Sequence, residues 1–248
     1  MVKNQYEVDV LKHTLSFSHK YKWKAEVVDY TDYDHQPMPG KAEFIFTEEK
    51  AQDAIHQFAD CKGVVIHNFS SGHSPGGGVR KGSKAQEEDL CRSSNLLLGL
   101  ESFPEYYQDN KNYLDGNECY DKMIYSEVVF FKDGKYNLIK NPMNVGVITY
   151  MAPCIRRGVT HERGAAIIER RLRHIIHCAN AVEAEVLVTG AWGCGAYGNN
   201  PETVADIYYN ILSEGTGAIK KVVFAVYGDP TNQKVFRALT ERLQAKGD

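Results

Sequence analysis

The stretch NFSSGHSPGGGVRKGSKAQEEDLCRSSNLLL, residues 68–98, follows the apolar run Gly63 to His67. A continuous apolar run after a glycine is the pattern of a strand covered on both faces. That strand leads into a glycine loop, and the loop leads into a helix. Gly76, Gly77 and Gly78 remove the side chain from three consecutive positions, so the backbone can take positive φ and approach a ligand to hydrogen-bonding distance. Pro75 stiffens the approach. Ser83-Lys84-Ala85-Gln86 has the spacing of a capping box with the serine at N-cap.

Leu90, Ser94, Leu97 and Leu98 fall at i, i+4, i+7 and i+8 and mark the buried stripe of one long helix. Glu87 lies three residues before Leu90, in the middle of that stripe, and Glu88 borders the same side. Acids in a first helical turn ordinarily offset the macrodipole, at about 1 kcal/mol or less each. A core-facing carboxylate also needs a partner. Glu87 and Glu88 are therefore expected to face whatever the glycine loop surrounds, while Asp89 fits the ordinary role.

Working outward, Gln5 to His19 has loosely helical spacing, Trp23 to Tyr30 reads as a strand, and Glu43 to Phe46 as another. Glu48 to Ala59 is an amphipathic helix with Thr47 as its cap. Phe103 to Asp121, rich in Tyr, Asn and Asp without clear period, reads as an ordered excursion. Ile124 to Phe131, the short Tyr136 to Ile139 and Asn144 to Met151 follow as strands, and Thr160 to Ala179 as a basic helix. Glu185 to Thr189 and Lys221 to Val226 are strands, and Pro201 to Leu212 and Thr231 to Ala245 are helices. This alternation predicts an α/β protein, a mixed or mainly parallel sheet flanked by helices.

A second glycine loop, Gly193-Cys194-Gly195-Ala196-Tyr197-Gly198, satisfies G-x-G-x-x-G between a strand and a helix. Too little chain follows for the rest of a dinucleotide domain, and no acid ends a strand about twenty residues on. A nicotinamide dehydrogenase is thereby disfavoured. Glycines before a helix amino terminus still make a diphosphate cradle. Tyr197 can stack on a base or pack beneath the loop, and Trp192 is expected to hold the loop against the sheet.

The chain has 248 residues, 43% hydrophobic and 25% charged, with a formal net charge of −3. That is enough for one large domain with a good core, and it gives no general attraction to polyanions. No nucleic-acid motif appears. An anionic ligand would need local cations, for which Arg80, Lys81, Lys84, Arg156, Arg157, Arg163, Arg170 and Arg171 are available. There is no apolar run long enough to cross a membrane and no signal-peptide pattern. Six cysteines without dense spacing fit reduced thiols, so a cytoplasmic location is expected. His174 and His177 beside Cys178 have a metal-compatible spacing, but without a second ligand cluster they read as structural.

The run NFSSGHSP, then GGG, seven residues and QEE resembles the signature of poly(ADP-ribose) glycohydrolases of the microbial type. The loop GAWGCGAYG, residues 190–198, resembles a second motif of that family, and the similarity runs from about Val64 to Asp229. Ser74 and Val79 depart from common family residues. The resemblance implies a macrodomain-like mixed sheet sandwiched between helices. The whole chain, 1–248, would be one catalytic domain, with residues 1–22 a short amino-terminal helical extension and the core from about 23 to 248. It further implies hydrolysis of ribose–ribose O-glycosidic bonds to release ADP-ribose, without cofactor or metal.

By the same resemblance Glu88, second of the pair, would be general acid and then base, and Glu87 would hold ribose hydroxyls. The substrate would be bound by Gly76, Gly77, Gly78, Val79 and Gln86 from the first loop. Gly193, Cys194, Gly195, Ala196, Tyr197 and Gly198 would bind it from the second, with Tyr197 against adenine. Gln86 either orders the pair or completes the capping box. Poly(ADP-ribose) or an ADP-ribosylated protein would be the partner, with neither a membrane nor a specific nucleic acid involved. The alternatives are a mono-ADP-ribosyl hydrolase and a non-catalytic ADP-ribose reader. The intact QEE favours an enzyme, since a reader needs no carboxylate pair at the ribose.

Overall fold

Val64, Val65 and Ile66 are buried without a polar break, and the strand they open, β3 (Val64–Phe69), is the middle strand of seven. The others are β1 (Lys24–Asp29), β2 (Glu43–Thr47), β4 (Lys122–Lys132), β5 (Leu138–Tyr150), β6 (Val186–Thr189) and β7 (Lys221–Ala225). The computed structural model describes residues 4–36, 38–113 and 117–247. The sheet order is β1-β4-β5-β3-β6-β7-β2. β1, β4 and β5 pair antiparallel, and every pairing from β5 through β3, β6 and β7 to β2 is parallel. The mixed sheet expected from the sequence is present.

Helices cover both faces. α1 (Gln5–Ser18), α2 (Ala51–Ala54), α3 (Gln86–Ser93), α4 (Leu96–Glu101) and α5 (Pro104–Asn112) pack around Ile66, Val147 and Val188 on one side. α6 (His161–Ala181), α7 (Pro201–Glu214) and α8 (Pro230–Gly247) supply the other layer, where Leu172, Tyr208 and Phe236 meet Val65, Leu187 and Phe224. Because alternate residues of a strand point to opposite faces, Val65 serves one core and Ile66 the other.

Four local expectations need correction. The long helix after QEE is two, because at Ser94–Asn95 the chain leaves helical geometry to bond to β4. Asn95 Oδ1 accepts from the Val129 N–H at 2.8 Å, and the Asn95 N–H donates to the Val129 carbonyl at 3.3 Å. Thr47 ends β2 instead of capping a helix, and the helix predicted for 48–59 is the short α2 followed by a 3-10 turn, Ile55–Phe58. Phe103 to Asp121 contains α5, started by Pro104 at its first turn; residues 114–116 of that segment lie outside the described residues. Tyr136–Ile139 and Asn144–Met151 do not form separate strands, since β5 is one strand of 13 residues paired in a hairpin with β4.

His174 is half of a packed ring pair, stacked on Tyr30 at 4.9 Å and bonded through Nδ1 to the Tyr150 hydroxyl at 3.2 Å. Arg171, fully buried in α6, pins the segment before β4 to the end of β5. It donates to Asp121 Oδ1 at 2.9 Å and to the carbonyls of Cys119 and Met151 at 2.8 and 2.9 Å. Removing one partner of a buried charge pair strands the other. Arg171→Met is expected to lower unfolding stability in urea by about 3 kcal/mol, and a loss below about 0.5 kcal/mol would show that the segment is held by packing alone.

Candidate active site

Loops leaving the carboxyl ends of β3, β5, β6 and β7 converge on one cavity of about 800 Å³. This is where open α/β sheets bind ligands, and the volume suits a nucleotide-sized molecule. α3 aims its amino terminus into this cavity, and Gln86 sets its position. The Gln86 amide donates through Nε2 to the His67 carbonyl and accepts through Oε1 from the Phe69 N–H, both at 2.8 Å. Gln86 therefore straps α3 to the end of β3 and orients the two glutamates that follow, which is the first of the two roles weighed for it, and it also lines the cavity.

The helix starts at Gln86 with Ala85 at N-cap, so the expected serine cap is not formed. Alanine has no side-chain oxygen, and only the reciprocal half of a capping box is made: Glu88 Oε2 accepts from the Ala85 N–H at 3.1 Å. The other Glu88 oxygen, Oε1, accepts from the Gly78 N–H at 2.9 Å. Glu87 Oε2 accepts from the Ser71 N–H at 2.7 Å, and its Oε1 is buried without a partner. Both carboxylates line the cavity although the residues are only 3% and 7% exposed. Burial, with the Glu88 charge adding to it, holds the Glu87 carboxyl well above the usual carboxylate range.

The triple glycine has a different reason at each position. At Gly77, φ is +58°, and a Cβ would stand 2.7 Å from Glu88 Oε1 and 3.0 Å from Glu87 Oε2. A side chain there would sit on both carboxylates. A Cβ on Gly78 would strike Ser83 Oγ at 2.2 Å, which is where the expected cap residue has gone. Gly76 is buried against Leu97, and Val79 is fully buried in the core, so neither reaches the cavity wall.

In the second loop Gly193 takes φ +75° because Asn199 folds back over it. Asn199 Nδ2 donates to the Gly193 and Pro153 carbonyls at 3.1 and 2.9 Å. Gly195 is different: a Cβ on it would meet nothing within 4 Å, and it lies open on the cavity. Ala196 and Tyr197 also line the cavity, whereas Cys194 points back to the Trp192 carbonyl and Gly198 lies against the Arg156 side chain. Trp192 is fully buried, edge-on to His67 at 4.7 Å, and it anchors the loop to the sheet as expected. Tyr197 donates its hydroxyl to the Ser70 carbonyl at 3.3 Å and packs on Cys119, Met151 and Cys154. That places its ring on the Glu87 side of the cavity.

The β7–β2 side carries residues that sequence reasoning missed. Tyr227 leaves β7 with 66% of its surface exposed, and the Lys50 ammonium lies 5.2 Å from its ring. Gln52, 1% exposed, lines the same end with its Nε2 unpartnered. A large aromatic at a strand exit beside Gly228-Asp229 was the only signal available for Tyr227. Of the basic residues proposed, Arg80 pairs with Glu101, Lys84 with Glu7, Arg163 with Glu118, and Arg170 and Arg171 with Asp121. Arg157 lines the cavity.

Comparison with known proteins places this geometry in context. No curated protein sequence matches the chain. The chain is similar in structure to poly(ADP-ribose) glycohydrolase from Thermomonospora curvata, with 24% identity and a TM-score of 0.82 over 96% of this chain and 99% of that one. The same enzyme bound to the inhibitor ADP-HPD matches with 25% identity over the same shares, TM-score 0.82. Poly(ADP-ribose) glycohydrolase from Deinococcus radiodurans in complex with ADP-ribose matches with 28% identity over 97% of this chain and 91% of that one, TM-score 0.74. The family model for the microbial-type PARG catalytic domain matches residues 4–133, just over half of the chain, including the glycine loop and QEE. The chain belongs to the microbial-type poly(ADP-ribose) glycohydrolase family.

Proposed function

We propose that this glycohydrolase, acting as one catalytic domain, binds the terminal ADP-ribose of poly(ADP-ribose) across its two glycine loops and cleaves the ribose–ribose bond with Glu88. The observation that carries the assignment is the pair of buried carboxylates under Gly77, each held by a loop N–H and both facing one cavity. Bond cleavage passes through an oxocarbenium-like state, with a proton given to the departing oxygen and negative charge near the ribose carbon. Glu88 gives that proton and takes one back from water. Glu87, from the same helical turn, holds the ribose hydroxyls. Adjacent acids cannot flank the bond from two sides as a retaining pair does.

The diphosphate lies against Gly195, where bare backbone meets no protein atom a side chain would disturb. The base extends to the β7–β2 side, against the exposed Tyr227 ring, with the unpartnered Gln52 amide at its edge. Tyr197 then borders the ribose, a change from the adenine contact that the family resemblance implied. Gly76, Val79, Cys194 and Gly198 shape the loops from behind. The described residues contain no helix long and apolar enough to cross a membrane, and the six free thiols fit a reducing cytoplasm. Poly(ADP-ribose) is preferred to an ADP-ribosylated protein as substrate, because only the polymer carries a second diphosphate past the reacting ribose.

A second division of labour has one observation in its favour. The raised Glu87 carboxyl, with an unpartnered Oε1, is the better proton store near neutral pH. Turnover of purified poly(ADP-ribose) separates the two. Glu88→Gln is expected to lower kcat by about 10²–10⁴-fold while keeping ADP-ribose affinity within about tenfold, and Glu87→Gln to raise KM more than it lowers kcat. The reverse pattern would give Glu87 the acid role, and full activity in both variants would sink the mechanism.

Two further outcomes follow from the site. A folded-state carboxyl raised above its unfolded value of 4.5 makes the folded protein bind the extra proton, so stability falls as pH rises past that value. The melting temperature of Glu87→Gln should match wild type below about pH 4 and exceed it increasingly above; a constant offset would remove burial as the cause. Gly195→Val should melt like wild type, because its side chain enters open space, yet bind ADP-ribose at least about tenfold more weakly. Unchanged affinity by calorimetry would move the diphosphate elsewhere.

A further inference from the structure

We propose that Arg157, with Arg156 beside it, forms a subsite for the diphosphate of the next ADP-ribose unit, the one that leaves with the shortened polymer. The inference rests on the assignment of the reaction centre to Glu87 and Glu88. Three lysines and arginines, Lys50, Lys84 and Arg157, stand on the cavity wall. Lys50 is held by Asp89 at 2.7 Å and Lys84 by Glu7 at 2.5 Å. Arg157 has no carboxylate partner among the described residues, and neither has Arg156.

Arg157 stands at the reaction-centre end of the cavity: it closes the turn after Cys154, on which the Tyr197 ring packs, and the Tyr197 hydroxyl donates to Ser70, next to the Ser71 N–H that holds Glu87. The Arg156 N–H donates to the Tyr197 carbonyl at 3.3 Å, and the Arg156 stem lies on Gly198. With the bound unit's base toward Tyr227 and its terminal ribose at the glutamates, the leaving chain exits past Tyr197. The first anionic group of that chain is its diphosphate, one ribose beyond the broken bond.

The turn that carries the arginines is built to hold them in place. Ile155–Arg157 is a 3-10 turn closed by the Arg157 N–H on the Cys154 carbonyl at 3.2 Å and the Gly158 N–H on the Ile155 carbonyl at 3.1 Å. Asn117 braces it from outside, donating through Nδ2 to the Arg157 carbonyl at 3.0 Å. The backbone is fixed while both arginines remain exposed residues. Planar guanidinium forks match phosphate oxygens well. A protein of net charge −3 draws no polyanion by its overall field, so Arg157 on the cavity wall and the neighbouring Arg156, neither with a carboxylate partner among the described residues, give the polymer a direction of approach. A mono-ADP-ribosylated side chain brings no such diphosphate, and the subsite favours polymer.

The test compares steady-state cleavage of purified poly(ADP-ribose) by wild type, Arg157→Lys and Arg157→Glu at low and physiological ionic strength, with ADP-ribose affinity measured by calorimetry. Arg157→Glu is expected to raise KM for polymer about tenfold at low salt, with the gap narrowing as salt screens it. Its ADP-ribose affinity should stay within about twofold, and Arg157→Lys should recover most of the KM. An unchanged KM in Arg157→Glu would overturn the subsite. So would a parallel loss of ADP-ribose affinity, which would place Arg157 on the bound unit's own diphosphate. Failure of wild type to cleave polymer at all would overturn the proposed function itself, an outcome distinct from either.

Discussion

The active site depends on where α3 begins. A helix amino terminus offers unpaired N–H groups and a positive field, and an ordinary helix would fill its first turn with solvated acids. Here Gln86 uses its whole amide on β3, one hydrogen bond to His67 and one from Phe69. The next two residues are thereby turned under the glycine loop. Glu87 and Glu88 are held in that orientation by the Ser71, Gly78 and Ala85 N–H groups, which donate to their oxygens. The loop and the helix each hold the other in position.

That arrangement carries an electrostatic cost which the surroundings only partly offset. Two carboxylates in one buried turn repel each other, and one oxygen of Glu87 is left without a partner. Unsatisfied buried polar groups concentrate at functional sites because a bound ligand or a transferred proton completes them. The same logic applies to the Gln52 amide at the far end and, in its exposed form, to Arg157 at the near end. The second loop is stiffened by Asn199 and Trp192, so its backbone is available to a ligand without collapsing onto it.

Much of this was legible in the sequence, for identifiable reasons. The buried run before Asn68, the bare triplet 76–78 and the placement of Glu87 on the apolar side of its helix are local patterns, and the structure keeps all three. The errors arise where a partner distant in sequence overrides a local pattern. Ser94 and Asn95 break the predicted long helix because Val129 offers a backbone bond. Ser83 looks like a cap but sits against Gly78, while Gln86, which looked like part of the cap, reaches 17 and 19 residues back to β3. Tyr227 and Arg157 are ordinary residues in sequence, and exposure and missing partners become visible only in three dimensions.

In the proposed binding mode one ADP-ribose runs from Tyr227 to the Glu87–Glu88 pair. A crystal structure of Glu88→Gln with ADP-ribose tests it directly. The expected density has the base stacked on Tyr227, the diphosphate against Gly195, and the terminal ribose with its anomeric carbon facing residue 88 and its hydroxyls at Glu87. A terminal ribose on the Tyr227 side, with the base beside Tyr197, would contradict it.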